Sequence, residues 1–148
     1  MGTTYSCVGL YTEEGKVKIL EDEEGKKTQP SVITFLDDCR TAVGYDAYKA
    51  AKEDPSRTLV YDVKRLIGKF PDHEEVKTGR PTWPFDITGD DHNRIRIKRN
   101  EAPQSLAYSE EMSAIVLEKM KAMAEKEAHS EIRQAVVTVP AYFTKSQK

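Results

Sequence analysis

Residues 109–139 carry the clearest structural signal in the chain: Ser109-Glu110-Glu111-Met112-Ser113-Ala114-Ile115-Val116 opens the stretch and Ala135-Val136-Val137-Thr138-Val139 closes it. Met112, Ile115, Val116, Met120 and Met123 recur at helical spacing. Ser109 is the predicted N-cap, and Glu110 and Glu111 place negative charge in the first turn, where the helix dipole favours it. The spacing predicts a helix to about Ala128. Ala135–Val139 is short, continuous and apolar, which predicts a strand buried on both faces of a parallel sheet covered by helices. Pro140 ends it. A helix feeding a buried strand puts the chain in the α/β class.

Upstream, residues 3–10 are rich in β-formers and Lys16-Val17-Lys18-Ile19-Leu20 alternates, with Glu13-Glu14-Gly15 between them. Together they predict a β-hairpin. Ser31–Phe35 reads as a further strand entered through Pro30. Tyr45–Lys52, with Ala47, Ala50 and Ala51, suits a short helix that ends near Asp54-Pro55. A helical turn or two is expected within Leu59–Ile67, stopped by Gly68. Pro71, Gly79, Pro81 and Pro84 punctuate a predicted loop. Phe85–Thr88 and Arg94–Lys98 flank Gly89-Asp90-Asp91-His92-Asn93 as strand, turn and strand. Ile95 and Ile97 should face a core, and Arg94, Arg96, Lys98 and Arg99 should face water.

The chain has 148 residues, 38% hydrophobic and 32% charged, with a net charge of −2. That length buries a core without disulfides or metal. The balanced charge argues against a dedicated nucleic-acid binder. No apolar run is long enough to span a membrane. Cys7 and Cys39 are too few for a disulfide framework, and no signal-peptide layout opens the chain, so a cytoplasmic setting is expected.

Generic motifs supply no self-contained active site. The spacing from Gly9 to Gly15-Lys16 is one residue too long for a phosphate loop, and Val17 stands where a magnesium-binding hydroxyl is needed. Cys7, Cys39, His73, His92 and His129 are too scattered for zinc, so no metal site is expected. The basic face at Arg94–Arg99 lacks an aromatic stacking platform and reads as a solvated strand face.

Three segments resemble the heat shock protein 70 kDa family of chaperones. Gly2-Thr3-Thr4-Tyr5-Ser6-Cys7-Val8-Gly9 is similar to the family's first phosphate-binding turn. Tyr61-Asp62-Val63-Lys64-Arg65-Leu66-Ile67-Gly68 resembles the segment with its catalytic lysine. Val136-Val137-Thr138-Val139-Pro140-Ala141-Tyr142-Phe143 resembles its hinge strand, and Trp83-Pro84-Phe85 fits between. The resemblance runs essentially the whole length of the chain, in order and in register.

The resemblance implies an incomplete actin-like, ribonuclease H-like ATPase fold. Residues 1–32 and 109–148 would form most of subdomain IA, and 33–108 the inserted subdomain IB. It implies Lys64 as the catalytic group, stabilising charge near the γ-phosphate. Gly2, Thr3, Thr4, Tyr5 and Arg65 would bind ATP or ADP, whose Mg²⁺ would be organised by aspartates outside this chain, and Pro140 would be the hinge. The glycine lets backbone N–H groups approach phosphate, and the hydroxyls add donors.

The family's opening strand and its aspartate would precede Gly2, and its second lobe would follow Lys148. Thr144-Lys145 replaces the usual Asn-Asp, reversing a charge, and Lys148 replaces an arginine, losing the bidentate fork. The resemblance thus implies part of an ATP-dependent chaperone, inactive and weak or negligible in nucleotide binding on its own. The parent's partners would be client polypeptides, held by a domain outside the chain, J-domain proteins and nucleotide exchange factors. The alternative is a short non-catalytic relative that binds co-chaperones through subdomain IB. Without the family's first strand, the hairpin and Val136–Val139 are expected to present unpaired edges.

Overall fold

Strand pairing is antiparallel throughout the described residues, 1–36, 40–98 and 106–148 of a computed structural model. The strands are β1 (Tyr5–Ser6), β2 (Gly9–Tyr11), β3 (Val17–Ile19), β4 (Gln29–Pro30), β5 (Ile33–Phe35), β6 (Thr41–Val43), β7 (Ile87–Gly89), β8 (Ile95–Lys98) and β9 (Leu106–Tyr108). The helices are α1 (Tyr45–Glu53), α2 (Glu74–Gly79) and α3 (Ser109–Ala128). Four small sheets result: β1 with β4, β2 with β3, β5 with β6, and β7-β8-β9. Cys39 and Arg99 lie outside the described residues.

The core sits between the two central sheets and the first half of α3. Ile33, Leu66, Ile97, Met112, Val76 and Val116 are fully buried there. Ile33 and Val60 exchange backbone hydrogen bonds of 2.9 and 2.8 Å, which stitches the segment before Lys64 onto β5. Trp83 stacks on Phe85 at 5.6 Å and Tyr61 meets Phe85 edge-on at 6.0 Å, a geometry that suits the ring quadrupoles. The expected helix over 109–128 forms, and Met112, Val116, Met120 and Ala124 make its buried stripe. Ile95 and Ile97 point inward as their alternation requires.

Several expectations are corrected. Ala135–Val139 is not a buried strand: no strand pairs with it among the described residues, and Val136 is 97% exposed. A strand needs a neighbour for its N–H and C=O groups; without one, water takes them and the apolar side chains follow the backbone outward. The parallel sheet is therefore absent among the described residues. The predicted hairpin splits, because only Gly9–Tyr11 pairs with Val17–Ile19, while Tyr5–Ser6 turns to Gln29–Pro30.

The region 59–67 holds only a 3₁₀ turn, Val63–Arg65, since Val60 is taken by its bridge to Ile33. The predicted loop after Pro71 contains α2. His73 Nδ1 accepts from the Glu75 N–H at 3.3 Å to cap it, and buried Val76 anchors it. Ser109 is inside α3 rather than its cap. The cap is Tyr108, whose N–H donates to Glu111 Oε2 at 2.7 Å. Among the described residues, no helix is long and apolar enough to cross a membrane.

Candidate functional site

The 3₁₀ turn at Val63–Arg65 repeats every three residues, so Val63 and Leu66 fall on one side. Both are buried, at 1% and 0% exposure, and pin the turn to the core. Lys64 and Arg65 between them are driven outward. Asp62, in the left-handed region at φ 59°, prepares the turn. Its Oδ2 accepts from Trp83 Nε1 at 3.4 Å and lies 3.5 Å from Arg65 Nε. The Trp83–Asp62 bond thus ties the turn to the aromatic cluster. Gly68, at φ 63°, ends it as expected.

Opposite lies the turn at Gly2-Thr3-Thr4. The Gly2 carbonyl accepts from Ser31 Oγ at 2.9 Å, the Thr4 carbonyl from the Ser31 N–H at 2.8 Å, and Ser31 Oγ is 2.8 Å from Ser6 Oγ. A Cβ on Gly2 would stand 2.1 Å from the Tyr5 carbonyl oxygen, so only glycine permits this bend. Lys64 Nζ reaches this segment and donates to the Met1 carbonyl at 2.6 Å. It also lies 5.8 Å from the Phe143 ring.

A cleft of about 170 Å³ runs between these elements, lined by Thr3, Lys64, Arg65, Lys69, Glu75, Pro140, Tyr142, Phe143 and Gln147. Of the residues singled out from sequence, the structure brings together Thr3, Lys64, Arg65 and Pro140. Gly2 and Thr4 shape the neighbouring turn. Tyr5 does not line the cleft; it sits 54% exposed on β1.

Sequence reasoning missed Lys69, Glu75 and Gln147. Lys69 is paired with Glu75. Gln147 carries a legible signal, the Thr144-x-x-Gln147 capping spacing. The two aromatic residues after Pro140 divide: Phe143 is buried, and Tyr142 is 84% exposed.

Three cationic side chains, Lys64, Arg65 and Lys69, against the one carboxylate of Glu75 make the lining suited to an anion. The volume decides its size. Whole-ligand pockets usually exceed about 300 Å³, so this cleft has room for a phosphate-sized group and not for an entire nucleotide. No group of three or more His, Cys, Asp or Glu side chains positioned for a metal occurs among the described residues.

A second depression of about 380 Å³, lined by Ala51, Pro55–Leu59 and Pro84, offers one cation, Arg57. Its Nε is already 3.2 Å from Asp54 Oδ2.

The basic face of β8 is more structured than its sequence indicates. It does have an aromatic partner: Arg94 and Arg96 both stack on Tyr108, at 4.5 and 4.7 Å. The ring is therefore engaged by the protein's own guanidinium groups. Arg94 also pairs with Asp90 at 2.7 Å. Burial works against ionisation of Asp90. Hydrogen bonds from the Arg94 backbone and side chain, the Tyr108 hydroxyl and the His92 N–H outweigh it and hold the carboxyl well below the usual range.

The family model described as "Hsp70 protein" matches residues 1–148. The chain is 40% identical over its whole length to a ribosome-associated molecular chaperone of Saccharomyces cerevisiae, covering 24% of that protein. It is 40% identical to the putative heat shock 70 kDa protein 7 of Homo sapiens, covering 40% of it. It is 41% identical to the heat shock 70 kDa protein II of Paracentrotus lividus, covering 39% of it. The chain thus spans 24–40% of the length of these relatives.

Proposed function

The chain belongs to the Hsp70 family, and from that membership we propose that it is part of the first lobe of an actin-like ATPase domain in an ATP-driven chaperone. Residues 1–32 and 109–148 are assigned to subdomain IA, and 33–108 to subdomain IB. The observation that supports the reading is the meeting of Thr3, Lys64, Arg65 and Pro140 around one phosphate-sized cleft.

Magnesium-bound ATP supplies the transferable phosphoryl group and the metal's charge when bound. The chain's own residues hold and orient. The Thr3 hydroxyl and the backbone amides of the Gly2 turn donate to phosphate oxygens. The Lys64 ammonium leaves the Met1 carbonyl for the terminal phosphate, stabilising the charge that develops there. Arg65 offers its planar cation on the adenosine side. Pro140, on the opposite wall, is the hinge through which cleft occupancy is felt by the rest of the longer protein. That protein binds client polypeptides and is served by J-domain proteins and nucleotide exchange factors.

The chain alone should show no ATP turnover above background, since holding a whole nucleotide and its metal needs the opposing lobe in addition to this cleft. A chimera in which it replaces the matching segment of the yeast ribosome-associated chaperone should hydrolyse magnesium-ATP. Lys64→Ala in that chimera should lower turnover about 10²–10³-fold, as loss of an electrostatic stabiliser does elsewhere. A folded chimera indifferent to Lys64→Ala would contradict the role given to this lysine.

A second reading is favoured by the apolar cluster, most of whose members, from Ile33 to Ala107, fall within residues 33–108: a non-catalytic relative that binds co-chaperones such as exchange factors through that segment. Pull-down of an exchange factor without nucleotide would support it, and no binding by a folded sample would reject it.

A further inference from the structure

Gln147 joins the two walls of the cleft. Lys64 and Arg65 stand on one wall, and Pro140 and Phe143 on the other. Gln147 Nε2 donates to the Ile67 carbonyl at 3.0 Å, across 80 positions of chain. Its Oε1 accepts from the Thr144 N–H at 3.0 Å and lies 3.2 Å from Thr144 Oγ1. These partners fix the carboxamide's orientation, because the flipped amide would set NH₂ against N–H and oxygen against carbonyl. Gly68 makes room for the contact. A Cβ there would stand 2.7 Å from Gln147 Cγ, and its φ of 63° already favours glycine. The Gly68 N–H donates to Glu110 Oε1 at 3.1 Å, so the same corner is tied to α3.

We propose that Gln147 is a positioning residue that clasps the Pro140–Phe143 wall against the Lys64 turn and so sets the surroundings of the Lys64 ammonium. The proposal rests on the anion-cleft reading and goes beyond it, assigning closure of the cleft to a side chain whose own polar atoms are spent on the backbone. Phe143 is the element that moves. Its ring lies 5.8 Å from Lys64 Nζ, so a released wall uncovers the amine.

Gln147→Glu separates the two halves of the clasp. The carboxylate still accepts from Thr144 but opposes the Ile67 carbonyl. Acetylation of Lys64 by acetic anhydride, read by mass spectrometry relative to exposed Lys77, should rise about three- to tenfold, the factor matching one hydrogen bond of ordinary net strength. Gln147→Ala should give a similar rise, and Lys145→Ala none, with helix content by circular dichroism unchanged in all three. An unchanged Lys64-to-Lys77 ratio in both Gln147 variants overturns the proposal. Sodium pyrophosphate should slow Lys64 acetylation in the unaltered chain. Failure to protect overturns the anion reading while leaving the clasp measured by Gln147→Glu standing, so the two failures are distinguishable.

Discussion

The valines of this chain occupy opposite surroundings in two regions. Val60, Val63, Val76 and Val116 are at most 1% exposed, while Val136 is 97% exposed and Val137 and Val139 are 48% and 42%. The first group lies where β5, β8, the 3₁₀ turn and α3 all contribute surface to one another. The second lies in a segment with every local property of a strand and no pairing strand among the described residues. Periodicity and composition state what a side chain prefers; burial additionally needs a surface supplied by another part of a chain. The β2–β3 hairpin falls between these extremes. Leu10 is half-buried, whereas Tyr11 and Val17 are 77% and 64% exposed.

The sharpest way to break this contrast is a matched pair of truncations. Leu66→Ala should destabilise the chain by about 2–5 kcal/mol, as deletion of fully buried methyl groups does. Val136→Ala should stay within about 0.5 kcal/mol. Urea unfolding followed by the fluorescence of Trp83, the one tryptophan, measures both, and equal costs would erase the distinction.

Next is Gly44→Ala. This residue precedes α1 at φ 71° and ψ −132°, and a Cβ there would lie 2.4 Å from Gln29 Oε1. Backbone strain of this kind costs about 1–3 kcal/mol. An unchanged unfolding midpoint would contradict the fixed β4–α1 corner.

Asp90 gives a pH signature that belongs to the ordered region alone. Its carboxyl is held down in the folded chain, so its contribution is complete above the unfolded value of about 3.9 and is lost as pH falls further. Asp90→Asn should flatten the decline in thermal midpoint below pH 4, leaving neutral-pH differences aside. A variant whose acid profile overlays that of the unaltered chain would show that Asp90 does not contribute to acid stability.

The smallest effect is expected at the surface pair of Lys18 and Glu127, 2.5 Å apart between the hairpin and α3. Both side chains are solvent-screened, so Glu127→Gln should leave the midpoint unchanged; a resolvable fall would make the hairpin more firmly docked than its exposed face indicates.

The legibility of the sequence followed the same division. Helix α3, the Ile95–Ile97 alternation and the Gly68 stop were readable because the determinants are local: a repeat, a polar turn, a left-handed glycine. Helix α2 was hidden by its short length among prolines, although His73 followed by Glu74-Glu75 is a capping signal in plain sight. Residues 135–139 carry the pattern of one member of a completed sheet, and no strand pairs with them among the described residues. In the cleft, Lys64 stands out only through family resemblance, since an isolated lysine on a short turn carries no chemistry by itself. The Asp62–Trp83 bond that aims it, and the Gln147–Ile67 bond across from it, join distant segments and have no local signature, although the Thr144-x-x-Gln147 capping spacing does.

Thr3, Lys64, Arg65 and Pro140 surround a cleft whose size and charge suit a phosphate-sized anion. Titration of the isotopically labelled chain with sodium pyrophosphate, followed by amide resonances, tests the anion reading directly. Shifts should concentrate at Thr3, Lys64, Arg65 and Phe143 and disappear in Lys64→Ala. Shifts confined to Arg94, Arg96 and Tyr108, or a response that survives Lys64→Ala unaltered, would contradict it.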